Sequence, residues 1–171
     1  MKNRIEIAKY LAELGFTKGA EIGVDFAYHA RVLLDYIPNL SLLCVDLWNR
    51  NPRAYSLAEE TLARYPGATI IMGDSVEVAK DIPDGSLDFV FIDADHSYQG
   101  VKRDIEAWSP KVRLGGVVYG HNYEVSRTGN RGVIEAVDEY VAKHKISLRV
   151  IEQDKHNPYP DDRHPCWFFA K

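Results

Sequence analysis

Two short apolar runs in this chain each end in side chains that can move protons or hold ions. Phe89–Ile92 is followed at once by Asp93, Asp95 and His96, and Gly116–Tyr119 by His121, Asn122 and Tyr123. Imidazole changes charge near neutrality, so both His121 and His96 are candidate general bases for an acceptor that must lose a proton. His121 is favoured, because it follows the fifth and more central apolar run, with Asp93 as its catalytic partner. Asp93, His121 and Asn122 also form a candidate metal-ligand set. Its imidazole suits Zn²⁺, Fe²⁺ or Ni²⁺ better than Mg²⁺ or Ca²⁺, which prefer oxygen. The plainer alternative is that Asp93 and Asp95 cap the next helix. His96 is then a structural residue at that helix start, and His121 bonds locally.

Such clusters need elements to position them. A continuous apolar strand is buried on both faces, as in a parallel sheet covered by helices. In those sheets ligands bind outside the carboxyl ends of the strands. Apolar runs predict strands at Ala20–Val24, Ser41–Val45, Ala68–Met72, Phe89–Ile92, Gly116–Tyr119, Leu148–Ile151 and Trp167–Ala170. Helical spacing predicts helices through Ile5, Ala8, Leu11 and Leu14, and over Tyr28–Tyr36, Tyr55–Tyr65, Tyr98–Ala107 and Val133–His144. A short helix to about Lys80 has Ser75 as its expected cap. Strand and helix alternate, which implies parallel strands with right-handed crossovers. The last two strands are joined by a polar connector, Gln153–Pro165, with no helix, so one antiparallel strand is expected near the C-terminal end.

The first strand and its turn, Ala20-Glu-Ile-Gly-Val-Asp-Phe-Ala27, lack the GxGxxG that lets backbone press on a pyrophosphate. A carboxylate at Asp25 would repel one. Asp46, at the end of the second strand, has the spacing at which an acidic residue takes ribose hydroxyls. Asp74 and Ser75 end the third and can read an adenine amino group. An adenosyl ligand without phosphates fits this pattern, namely S-adenosylmethionine.

These blocks resemble the class I S-adenosylmethionine-dependent methyltransferases from about Gly19 to Lys171. The resemblance rests on Glu21-Ile-Gly-Val24, Val45-Asp-Leu-Trp48, Gly73-Asp-Ser75, the run Phe91–Tyr98 (FIDADHSY) and the run Gly115–Tyr123 (GGVVYGHNY). The last two look most like the small-molecule O-methyltransferase branch, with its macrocin-type and caffeoyl-CoA-type enzymes. The resemblance implies a Rossmann-like α/β fold over residues 1–171 as one domain. Its sheet is seven-stranded and mostly parallel, with helices on both faces. It also implies that Glu21 and Gly23 line the methionine part of the cofactor, that Asp46 with Leu47 borders the ribose, and that Asp74 and Ser75 meet the adenine. Asp93 lies near the reacting methyl. In the metal-dependent branch an Asp-Asn pair stands where this chain has His121-Asn122, and a further family glycine is replaced by Ala27, where a slightly tighter turn is expected.

The remaining features bound the function. A net charge of −4 without a basic run argues against a nucleic-acid partner. No apolar stretch reaches the roughly 20 residues that span a bilayer, and the opening residues do not read as a secretory signal. Cys44 and Cys166, the two cysteines, lie inside apolar runs and read as buried packing residues in a cytoplasmic protein. Trp48 and Trp108 read as packing, Trp48 also being placed to border the adenosine. The runs His156–Pro160 and Asp161–His164 resemble metal sites in composition but read as a solvated loop. Acceptor specificity is expected from Tyr123–Arg131, from Gln153–Pro165 or from a neighbouring subunit of a homo-oligomer. The partner is a small-molecule acceptor, and the alternative is a non-catalytic adenosyl-binding or regulatory protein of the same fold.

Overall fold

The computed structural model describes residues 3–49, 51–152 and 164–171. Most of the polar connector, including His156–Pro160 and residues 161–163, lies outside the described residues. Seven strands form one sheet: β1 (Lys18–Ile22), β2 (Ser41–Asp46), β3 (Ala68–Met72), β4 (Leu87–Ile92), β5 (Val112–Gly120), β6 (Arg149–Ile151) and β7 (Cys166–Ala170). Their order is β3-β2-β1-β4-β5-β7-β6. β1 to β5 pair in parallel, and β7 runs antiparallel to both β5 and β6. This is the expected architecture, with its one antiparallel strand. The order reverses between β1 and β4, and there a crevice opens beyond the carboxyl ends of the strands.

Strand period decides which side chains meet which helices. Phe89 and Phe91 of β4 pack on one face with helices α1 (Arg4–Glu13), α2 (Tyr28–Tyr36) and α3 (Pro52–Leu62). Val90 and Ile92 pack on the other with α4 (Ser75–Ala79), α5 (Tyr98–Trp108) and α6 (Gly132–His144). Phe89 and Phe91 are almost wholly buried, and burying each contributes about 1.5–3 kcal/mol. Cys44 and Cys166 are both buried, as their apolar surroundings suggested. Among the described residues no helix is long and apolar enough to cross a membrane.

Several element boundaries differ from the sequence reading for local reasons. α3 begins at Pro52, ahead of the expected Tyr55, because Asn51 Oδ1 accepts the Arg53 N–H and proline suits a first helical turn. α4 is capped by Asp74, whose Oδ1 accepts the N–H groups of Val76 and Glu77, so Ser75 is not the cap. α5 is capped by Ser97, whose Oγ accepts the Gly100 N–H, so neither Asp93 nor Asp95 does that work. The buried stripe of α1 is Ile7, Ala8 and Leu11, while Leu14 is exposed. Arg4 belongs to that stripe by its spacing, three residues before Ile7 and four before Ala8.

Candidate active site

Glu21, Asp46, Asp74, Asp93 and His121 stand at or just beyond the carboxyl ends of β1 to β5, and all line one cleft of about 580 Å³. That volume suits a small-molecule site. Gly23 forms its floor at φ +89, a conformation open to glycine. A Cβ there would lie 2.3 Å from the Asp93 carbonyl oxygen and 2.6 Å from its carbon. Both are backbone atoms tied into the sheet, since the Asp93 N–H donates to the Ile22 carbonyl at 2.8 Å. Gly23→Ala is therefore expected to destabilise the protein by about 1–3 kcal/mol from overpacking alone. Urea unfolding checks this, and a wild-type midpoint would show that the turn yields freely. At the end of the same turn Ala27 holds φ +61 with its methyl wholly buried in the core. Left-handed backbone costs alanine about 1–2 kcal/mol, which burial of the methyl partly offsets.

Asp46 organises this turn. Its Oδ2 accepts the N–H groups of Val24 at 2.8 Å and Asp25 at 2.9 Å, and its Oδ1 accepts that of Trp48 at 2.8 Å. A carboxylate has roughly four acceptor positions, so about one remains for a ligand hydroxyl. Leu47 beside it is exposed, and Trp48 is buried against Tyr55 with its indole N–H on the Asp25 carbonyl.

At the far end of the cleft Ser75 Oγ donates to Asp104, a short contact to a buried carboxyl. Burial pushes the Asp104 carboxyl up to about 6, partly opposed by the Ser75 hydrogen bond and the Arg103 charge. The folded protein thus keeps a proton on Asp104 at pH values where the unfolded chain, with an ordinary 3.8, has lost it. Stability from this group is full below about pH 4 and declines as pH rises through 6, by about 2–3 kcal/mol in all. Urea midpoints measured from pH 4 to 7 should show the decline in the wild type and a flatter profile in Asp104→Asn. Equal slopes would remove Asp104 as the cause.

The densest charge lies around Asp93. His96 Nε2 is 2.9 Å from Asp93 Oδ1. His121 Nδ1 is 3.4 Å from Asp93 Oδ2. Arg4 Nη2 is 3.6 Å from that same oxygen and 3.2 Å from His121 Nδ1. Burial alone would raise the Asp93 carboxyl, but the two imidazole hydrogen bonds, with the charges of His121 and Arg4, outweigh it and hold the group well below the usual range. The two histidines differ in access: the His96 side chain is 43% exposed and that of His121 only 4%. His96 is therefore more than a helix-start residue, because it turns back onto Asp93. Next to this cluster Glu21 is buried, its carboxyl pushed well up by burial against the pull of Arg4. His29 is buried too, its imidazole pushed well down by burial and by Arg4, with Nε2 3.0 Å from the Tyr119 hydroxyl. Glu21 Oε2, His29 Nδ1 and His121 Nε2 are buried polar atoms without a hydrogen-bond partner among the described residues. Such atoms are costly unless something polar meets them.

A divalent metal does not fit this donor set. The Arg4 guanidinium already lies against both Asp93 and His121, and it cannot give up its charge. No group of three or more His, Cys, Asp or Glu side chains converges for a metal among the described residues. Asn122 lines the cleft at φ +57 and has only a neutral amide oxygen to add, so Asp93 is the one anionic member of the set. Arg4, which the sequence reading passed over, thus lies against two of the expected metal ligands, Asp93 and His121.

Arg4, His29, Tyr119 and Asp104 escaped the sequence reading. Two carried a signal, since Arg4 and Asp104 are charged residues on the apolar faces of α1 and α5. His29 and Tyr119 look like ordinary positions in apolar elements until the fold pairs them. His164, the described end of the polar connector, bonds Glu124 and sets its ring edge-on to His121 at 5.6 Å.

Residues 20–123, more than half of the chain, match the family described as a methyltransferase domain. No curated protein matches the sequence. Among solved structures, an O-methyltransferase from Bacillus cereus in complex with SAH is 18% identical at TM-score 0.77, covering 98% of this chain and 80% of that one. A candidate caffeoyl-CoA O-methyltransferase from Staphylococcus aureus is 17% identical at 0.72, over 98% and 82%. The precorrin-6y C5,15-methyltransferase from Geobacter metallireducens is 16% identical at 0.71, over 98% and 88%. The fold, the strand-end motifs and the family match agree, and this chain belongs to the class I S-adenosylmethionine-dependent methyltransferases.

Proposed function

We propose that this protein transfers a methyl group from S-adenosylmethionine to a hydroxyl oxygen of a small molecule, acting as one methyltransferase domain in the cytoplasm. The observation that carries the choice of oxygen is the Asp93–His96 pair at 2.9 Å on the cleft rim. A hydroxyl acceptor needs a base, and an imidazole oriented by a carboxylate is suited to that role. Similarity to O-methyltransferase structures supports it, although a neighbour named for the C5 and C15 positions of a precorrin shows that the fold also serves carbon.

In this reading Glu21 and Gly23 hold the methionine part, Asp46 and Leu47 border the ribose, and Asp74 and Ser75 face the adenine. The acceptor oxygen attacks the methyl carbon in line. The new O–CH₃ bond forms as the S–CH₃ bond breaks, and the sulfonium leaves as the neutral thioether of S-adenosylhomocysteine. The hydroxyl proton passes to the imidazole of His96, with its Nε2–H directed to Asp93. His121, the base favoured by the sequence, is held between Arg4 and Asp93 with little access, which suits a positioning role. Alignment of acceptor, methyl and sulfur supplies much of the acceleration.

Incubation with S-adenosylmethionine and a panel of phenols, catechols and sugars, read as S-adenosylhomocysteine by mass spectrometry, tests this. Product that depends on the hydroxyl acceptor supports the reading. S-adenosylmethionine binding by calorimetry with no turnover on any acceptor would favour a non-catalytic adenosyl-binding protein.

A further inference from the structure

We propose that the guanidinium of Arg4 is the resident cation of this site, standing where a divalent metal would bind Asp93 and His121. The inference rests on the methyltransferase reading only for its consequence that turnover needs no metal. The placement itself follows from the fold.

Arg4 is carried on α1, which is fixed by Ile7, Ala8 and Leu11 in the core and by Tyr10 against Phe168. Asn3 caps this helix by accepting the Glu6 N–H, so the first turn that carries Arg4 is formed. The Arg4 side chain is 12% exposed. Its guanidinium carbon lies 5.8 Å from the centre of the Phe91 ring, a distance at which a cation is attracted to an aromatic face. Beyond the ring, Nη2 meets His121 Nδ1 at 3.2 Å and Asp93 Oδ2 at 3.6 Å.

Two consequences follow from chemistry. The Asp93 charge is balanced by a group that needs no uptake from solution. A metal ion would have to displace a fixed cation from both of its candidate ligands. Arg4 is accordingly a positioning residue, acting on the acceptor through Asp93 and His121.

The test measures Mn²⁺ uptake by electron paramagnetic resonance and melting-temperature shifts with Ni²⁺ and Mn²⁺. It uses the full chain as wild type, Asp93→Asn, Arg4→Gln and Arg4→Glu. Arg4→Glu exchanges the cation for an oxygen ligand beside Asp93 and His121, a set of two carboxylates and one imidazole that transition metals favour. The expected result is no Asp93-dependent uptake in the wild type, and binding at least about 10-fold tighter in Arg4→Glu, lost again when Asp93→Asn is added. An S-adenosylhomocysteine-induced melting shift reports whether each variant is folded. If Arg4→Glu is not, Arg4→Gln decides, and it too should bind more tightly than the wild type. Wild-type uptake that Asp93→Asn abolishes would overturn the proposal, as would folded Arg4 variants that bind metal no better than the wild type. None of these readings requires a methyl acceptor, so a failure of the methyl-transfer reading is separately visible.

Discussion

His96→Ala is expected to lower turnover by about 10²–10⁴-fold at saturating S-adenosylmethionine, the range for a lost general base. The geometry behind this is specific. Asp93 is charge-balanced and held ionised, and it orients two imidazoles, one on the rim and one buried. The rim imidazole can meet an acceptor hydroxyl and pass its proton on to water. The buried one sits against Arg4 and has no exposed ring nitrogen at Nε2. His121→Ala should therefore act through position. It removes the neighbour of Asp93 Oδ2, lowers turnover less than His96→Ala, and lowers the melting temperature more. A pH–rate profile separates the roles. Wild-type activity should rise with pH as the imidazole becomes neutral, and His96→Ala should lose that rise while His121→Ala keeps it. If His96→Ala retains full turnover and the same profile, while His121→Ala loses both, the base is His121, as its place after the fifth strand first suggested.

Asp46→Ala is expected to weaken S-adenosylhomocysteine binding by about 10–10²-fold, equivalent to about 1–3 kcal/mol for the polar groups left unpaired. Judged from its place at a strand end alone, the replacement would spare the fold. The hydrogen bonds say otherwise. The N–H groups of Val24, Asp25 and Trp48 all lose their acceptor, and those residues shape the turn between β1 and α2. Each unpaired N–H costs about 1–3 kcal/mol where water cannot replace the carboxylate. The melting temperature should therefore fall as well. Asp46→Asn, which keeps one acceptor oxygen, should fall between wild type and Asp46→Ala in both measurements. Calorimetry that finds unchanged affinity in both variants would remove Asp46 from the cofactor site, and an unchanged melting temperature would deny its part in the turn.

Much of this protein was legible in the chain itself. Local periodicity determined the seven strands and the helix order, because burial on two faces demands unbroken apolar runs such as Phe89–Ile92 and amphipathic spacing in between. The polar composition of the connector before β7, which predicted no helix there, pointed to the antiparallel strand, since a direct return reverses direction. The strand-end motifs then placed Glu21, Asp46, Asp74, Asp93 and His121 in one cleft, because parallel strands bring their carboxyl ends to one edge. Partnership was another matter. Asp74 rather than Ser75 caps α4, because the Ser75 hydroxyl is drawn to Asp104, 29 residues away on α5. His29 finds the Tyr119 hydroxyl across 90 residues. Arg4 reaches His121 across 117 residues and lies 3.6 Å from Asp93 Oδ2. Side-chain type and spacing report what a residue can do within its own element. Which charge neutralises which, and so whether Asp93 binds a metal or an arginine, is settled only when packing brings distant helices to the same strand ends.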